Sequence, residues 1–190
     1  MTTNGATPNG NDRRDSASAT RRSVNFKRLS ELTLEDPLTG LVNQLLLHDR
    51  LSQALMRSKR RGDRVAVFYI NLNDFSSINE AHGFEVGNAV LCVVARRLSA
   101  MIRTEDTLSR VGGDEFVAVL SIENELALGP LTKRVHSTFE EPIDVDGLSI
   151  TMSASIGIVL GDGTETAEAM LTEADEAMFL EKQGKRPPRQ

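Results

Sequence analysis

The sequence contains a single cysteine, Cys92, which excludes an intramolecular disulfide. It sits in the apolar run Ala89 to Ala95 and reads as a small core residue. Long apolar runs are missing as well. No stretch approaches the roughly 18 residues of a membrane helix, and the N-terminus lacks the hydrophobic region of a signal peptide. A cytoplasmic protein without membrane insertion is expected. There is also no excess of positive charge. The chain has 22 Lys+Arg against 27 Asp+Glu, a net charge of −5, which argues against a polynucleotide partner. The balance is uneven along the chain. Residues 1–28 carry six basic side chains and two acidic ones, leaving 16 basic and 25 acidic residues for the rest.

At 190 residues the chain has room for one domain and a tail, and about 150 residues bury a good core without staples. Residues 1–23 are rich in Thr, Asn, Gly, Ser and Ala without apolar periodicity, which predicts a disordered tail. Val24 to Leu34 carries Leu29 and Leu32 at helical spacing and predicts a short helix or linker up to residue 35. Leu45 to Arg61 is an amphipathic helix through Leu46, Leu47, Leu51, Ala54 and Leu55. Its basic last turn suits the helix dipole. Val65 to Ile70 is apolar throughout, the mark of a strand buried on both faces. Further helices are predicted from about Glu85 to Ile102, from Leu126 to Phe139 and from Ala167 to Gln183. Pro142 to Gly147 reads as a turn-rich insert, and Leu148 to Leu160 as a strand pair or one long strand. The alternation of elements predicts an α/β sandwich with a central mixed sheet flanked by helices.

Two stretches carry chemistry. The first is Arg110-Val111-Gly112-Gly113-Asp114-Glu115-Phe116, set between Thr107–Val111 and Phe116–Ile122. Two short strands joined by Gly-Gly-Asp-Glu predict a β-hairpin. Glycines at its tip allow positive φ and keep side chains out of the way of a phosphate. Two adjacent carboxylates can hold a hard cation or accept a proton. A plain Gly-Gly-Asp turn would do none of this. Yet Gly-Gly-Asp-Glu-Phe is expected by chance on the order of once in ten thousand chains of this length. The second stretch is Asp36-Pro37-Leu38-Thr39-Gly40-Leu41-Val42-Asn43. Pro and Gly set a turn there, and Asn43 can cap the helix that follows.

Together these stretches resemble GGDEF domains, the family of diguanylate cyclases, over roughly residues 36–186, with 187–190 as a C-terminal tail. The resemblance implies a palm-like fold shared with nucleotide cyclases. It also implies the joining of two GTP molecules into cyclic di-GMP with Mg²⁺ or Mn²⁺, across a pair of facing domains. Carried over residue by residue, Asp114 is implied as metal carboxylate and Glu115 as the base or charge-stabilising carboxylate. Asn71 and the carbonyl of Leu72 take the other metal positions. Gly112, Gly113, Lys182 and Arg186 take the phosphates, and Asn79 and Asn88 the guanine. Arg103 and Asp106 form the Arg-x-x-Asp of an inhibitory, product-binding site.

Four positions depart from the family pattern. Asn71 replaces an Asp, which removes one negative charge from the metal cage. Ser76 replaces a phosphate-binding Lys. Asn88 replaces an Asp, and its amide sets a donor against a guanine donor, at a cost of roughly 1–3 kcal/mol. Phe84 also takes the family's usual His position, with His82 displaced before Gly83. These residues predict a protein that binds GTP or cyclic di-GMP, with turnover weak or lost. A working cyclase with product inhibition and a non-nucleotide interaction domain are the alternatives. The brief helix at Val24–Leu34 predicts at most a weak or ligand-dependent homodimer, because isolated helices of about three turns are marginal.

Overall fold

The computed structural model describes residues 34–185. The expected tails at 1–23 and 187–190, the helix expected over Val24–Leu34 up to residue 33, and Arg186 lie outside the described residues. Leu34 itself is in a bend. The first helix, α1, spans Gln44–Arg61. It starts where expected, since the Asn43 side chain accepts from the Leu46 amide at 3.0 Å. It stops at Gly62, whose φ of 76° closes the last turn.

Strand β1 (Arg64–Leu72) follows, then α2 (Phe75–His82) and α3 (Phe84–Met101). The predicted hairpin is β2 (Thr107–Gly112) and β3 (Glu115–Ile122). A 3₁₀ turn at Glu125–Ala127 leads into α4 (Leu128–Ser137), so this helix is shorter than expected at both ends. Strands β4 (Ile143–Val145) and β5 (Leu148–Ile150) precede β6 (Ala154–Gly161) and α5 (Ala167–Lys185).

The main sheet has the order β2-β3-β1-β6. Its strand pairs are antiparallel, and an isolated parallel bridge joins Val42 to Ser109. β1 is internal, and its alternation serves two cores. Val65 and Val67 pack with Leu47, Leu51, Met170 and Ala174 under α1 and α5. Ala66, Phe68, Ile70 and Leu72 pack with Val90, Val94 and Leu98 of α3 on the other face. That explains the unbroken apolar run in the sequence.

Two expectations need correction. The insert at Pro142–Gly147 contains a strand, and the stretch after it divides between two sheets. Asp146 and Gly147 both have positive φ, 50° and 80°, which makes a tight two-residue hairpin between Val145 and Leu148. β6 then crosses to the edge of the main sheet. Cys92 is exposed and is not part of the core. The buried stripe of α3 runs through Val90, Leu91, Val94, Ala95 and Leu98, and position 92 falls outside it. Arg97 ties α3 to the insert by donating to the carbonyls of Thr138 (3.1 Å), Glu141 (2.7 Å) and Pro142 (2.7 Å).

Two contacts place the sheet end that matters for chemistry. The loop from Asp36 lies along the outer edge of β2. The Val42 carbonyl accepts from the Arg110 amide at 3.1 Å and from the Ser109 hydroxyl at 2.8 Å. Asp36 receives the Thr39 amide and hydroxyl at 2.8 and 2.6 Å. Both of its oxygens receive Arg110 Nη1, at 3.1 Å. The second contact is between β6 and α5. A Cβ at Gly157 would stand 1.9 Å from the Ala174 carbonyl oxygen and 2.4 Å from the Met178 amide nitrogen. Only glycine lets the helix backbone lie this close.

Each contact leads to a prediction. Burial would raise the Asp36 carboxyl, but the Thr39 hydrogen bonds and the Arg110 charge outweigh it and hold the group below the usual carboxylate value. The stability it contributes is therefore complete above the unfolded-state value and is lost as pH falls through the folded-state value. Asp36→Asn should cost about 2 kcal/mol at neutral pH. It should also flatten the decline in urea midpoint below about pH 4. Parallel pH profiles for parent and variant would remove Asp36 from this role. Gly157→Ala should overpack the β6–α5 contact and cost about 1–3 kcal/mol, read as a lower thermal midpoint. An unchanged midpoint would show that the helix shifts freely.

Candidate functional site

The end of β1 meets the start of β3. Asn71 and Glu115 are direct cross-strand partners, and the ladder continues one step as the Leu72 amide donates to the Asp114 carbonyl at 3.1 Å. Gly112 pairs with Glu115, leaving Gly113 and Asp114 as the tip. Gly113 has φ of 28°, and a Cβ at either glycine would meet only open space. Arg110 holds the tip by donating Nε and Nη2 to the Gly113 carbonyl at 3.0 and 2.7 Å.

Because β1 alternates, Tyr69 and Asn71 share a face, and Glu115 lies opposite on the same side. Asn71 is 5% exposed. Its Nδ2 donates to Glu115 Oε1 at 3.4 Å, and Tyr69 donates its hydroxyl to Glu115 Oε2 at 3.2 Å. Burial raises the tyrosine well above its ordinary value, and the charges of Glu115 and Asp175 raise it further. It therefore remains a donor to the carboxylate at any neutral pH. From α5, Lys182 Nζ donates to Asn71 Oδ1. The helix is registered at this point because the Glu181 carboxylate accepts from the Ile156 amide of β6. Glu115, Asn71 and Lys182 thus form one chain, carboxylate to amide to ammonium. It joins three elements that are far apart in sequence.

The other positions implied for substrate gather at the same end of the sheet but make fewer contacts. Ser76 is exposed in the first turn of α2. Asn79 lies near the end of α2, its side-chain oxygen so close to Gly87 that a Cβ there would come within 1.9 Å. Asn88 is exposed on α3, and Phe84 at its start is 77% exposed. The fit of a divalent cation is poor. The Asn71 oxygen that would ligate it already accepts from Lys182. Among the described residues no group of three His, Cys, Asp or Glu side chains could hold a metal ion.

Arg103 and Asp106 lie beside the opposite end of the hairpin, about 17 Å from the tip along β2. They do not pair with one another as a helix-end ion pair would. Asp106 instead accepts the Arg103 amide at 3.0 Å and the Ser121 amide at 3.2 Å. The exposed Arg103 lines a cavity of about 670 Å³ together with Asp106 and with Arg50, Arg57 and Arg61 of α1. Sequence reasoning missed these three arginines, reading the end of α1 only as a complement to the helix dipole. Their spacing of seven and four residues along one helical face was the available signal. Tyr69 was missed too, although its two-residue offset from Asn71 puts both on one strand face.

Comparison with known proteins places the sequence and the fold in one family. Residues 33–187 match the family described as diguanylate cyclase, GGDEF domain. The bifunctional diguanylate cyclase/cyclic di-GMP phosphodiesterase MucR of Pseudomonas aeruginosa is 36% identical over 168 residues, covering 87% of this chain and 24% of that protein. The chain spans about a quarter or less of the first curated relatives it matches. Among solved structures, a sensory box/GGDEF family protein from Caulobacter crescentus has a TM-score of 0.75 at 33% identity, covering 80% of this chain and 99% of that one. The GGDEF domain of TpbB from Pseudomonas aeruginosa has a TM-score of 0.76 at 32% identity, with 80% and 90% covered. The chain belongs to the GGDEF domain family of diguanylate cyclases.

Proposed function

We propose that this GGDEF domain serves cyclic di-GMP signalling in the cytoplasm as a nucleotide-binding module, with conversion of two GTP into cyclic di-GMP and two diphosphates weak or lost. Cyclic di-GMP is held at Arg103 and Asp106, and GTP at the hairpin tip by Gly112, Gly113, Lys182 and Arg186. The observation that carries this reading is the cavity in which Arg103 stands beside three further arginines. Its size suits a small ligand. Guanidinium forks match both phosphate oxygens and the O6/N7 edge of guanine. The Asp106 carboxylate has acceptor capacity beyond the two amides it receives, enough for a guanine N–H.

Turnover is the weaker half. Members of the family generally use a divalent metal, and Mg²⁺ or Mn²⁺ is what this tip is poorest at holding. Asn71 offers an amide where a carboxylate would carry charge, and Ser76 brings no cation to the terminal phosphates. An active cyclase with product inhibition is the second reading, favoured by the complete Gly112–Glu115 tip. Pairing of two domains accompanies ligand, as a weak homodimer that tightens with cyclic di-GMP. No described helix is long and apolar enough to cross a membrane.

Calorimetry with cyclic di-GMP tests the first half. The parent should bind, and Arg103→Ala should bind about 10–100-fold more weakly, the loss of one charge-assisted contact. No heat from the parent, or equal affinities, would refute the site. Product formation from GTP tests the second half. Asn71→Asp combined with Ser76→Lys should raise turnover in Mg²⁺ by about tenfold or more. If the double variant matches the parent, the limit lies elsewhere, with Asn88 the next candidate.

A further inference from the structure

We infer that this domain binds the triphosphate of a guanine nucleotide without a divalent cation, the Lys182 ammonium standing where a metal ion would be held. The inference rests on the reading of the hairpin tip as a GTP site and says how that site is neutralised.

Asn71 lies at the centre of the site. It is 5% exposed and touches a charged group on each side, Glu115 through Nδ2 and Lys182 through Oδ1. The two neighbours fix the amide in one orientation. A carboxylate here would face the Glu115 carboxylate at the 3.4 Å now spanned by a hydrogen bond. Like charges so close in a partly buried site need a cation between them. The amide removes that need, because it donates to one side and accepts from the other. Glu115 is further satisfied by the Tyr69 hydroxyl at 3.2 Å. The cluster is thus internally compensated without a metal.

Lys182 supplies the remaining charge. An ammonium has three donors, and one is spent on Asn71. The other two can face phosphate oxygens arriving over Gly112 and Gly113, where a Cβ would meet nothing. Its position is set by the backbone rather than by the long side chain alone. Gly157 seats α5 directly on β6, and Glu181, its neighbour in sequence, receives the Ile156 amide. A lysine fixed this way is a point charge for phosphate that Mg²⁺ does not need to supplement.

The test is GTP binding to the full chain, measured by calorimetry in excess EDTA and again in Mg²⁺. The two affinities should agree to within about threefold, a difference of less than one kcal/mol. Lys182→Met should lose about tenfold or more in EDTA. Asn71→Asp should make binding depend on metal, about tenfold weaker in EDTA than in Mg²⁺. Since Asn71→Asp is compared with itself in two buffers, a general loss of stability cannot produce that difference. GTP binding by the parent only in Mg²⁺ would overturn the inference while leaving the tip a nucleotide site. No GTP binding in either buffer would overturn both, and cyclic di-GMP binding at Arg103 would stand or fall separately.

Discussion

The guanidinium of Arg110 is the interaction on which the working end of this domain depends. It reaches back to both oxygens of Asp36 and forward to the carbonyl of Gly113. A two-residue glycine-bearing tip has little to hold it still, since Gly112 and Gly113 have no side chains and a Cβ at either would meet only open space. Arg110 turns that tip into a fixed object by spending a planar fork on a single backbone carbonyl. Because the same group pairs with Asp36, the entry loop is locked to the hairpin edge. That loop in turn covers β2, whose free edge would otherwise invite pairing with another chain. The two sequence stretches that first drew notice are thus two halves of one ion pair, buried to 13% and 16% side-chain exposure.

What the sequence made legible was what local rules control. The Asn43 cap, the helix end at Arg61 and the apolar run of β1 follow from capping chemistry, the helix dipole and hydrophobic patterning, and each appears in place. The hairpin at Gly112–Glu115 follows from its turn residues. What stayed hidden depended on the third dimension. The partner of Asn71 is Lys182, 111 residues away, and no spacing announces it. Cys92 looked buried because its neighbours are apolar, yet only the angle around α3 decides which of them face inward. The strand Ile143–Val145 was lost because three residues are too few for alternation to register. The Asp146-Gly147 turn that creates the strand was nevertheless in view.

The two candidate sites answer to different parts of the fold. The tip is assembled from β1, β3 and α5, and its electrostatics pass through one amide. The Arg103 cavity is assembled from α1 and the segment before β2, so substitutions at the tip leave it untouched. The two sites also differ in what their chemistry demands. Phosphoryl transfer requires several groups placed together to within a fraction of an ångström, whereas binding tolerates the loss of one.

Asn71 shows how such a change can settle rather than merely damage a site. Viewed from the sequence, it is a missing carboxylate. In the structure it is a bridge whose donor faces an anion and whose acceptor faces a cation, with Tyr69 completing the anion's shell. Half-satisfied polar clusters in partly buried places are costly, and among the described residues no buried side-chain nitrogen or oxygen lacks a partner. The amide is therefore compatible with Lys182 and Glu115 as they stand, and an isolated return to aspartate would disturb both. Asn71 is the pivot, with the carboxylate of β3 on one side of its amide and the cation that α5 delivers on the other.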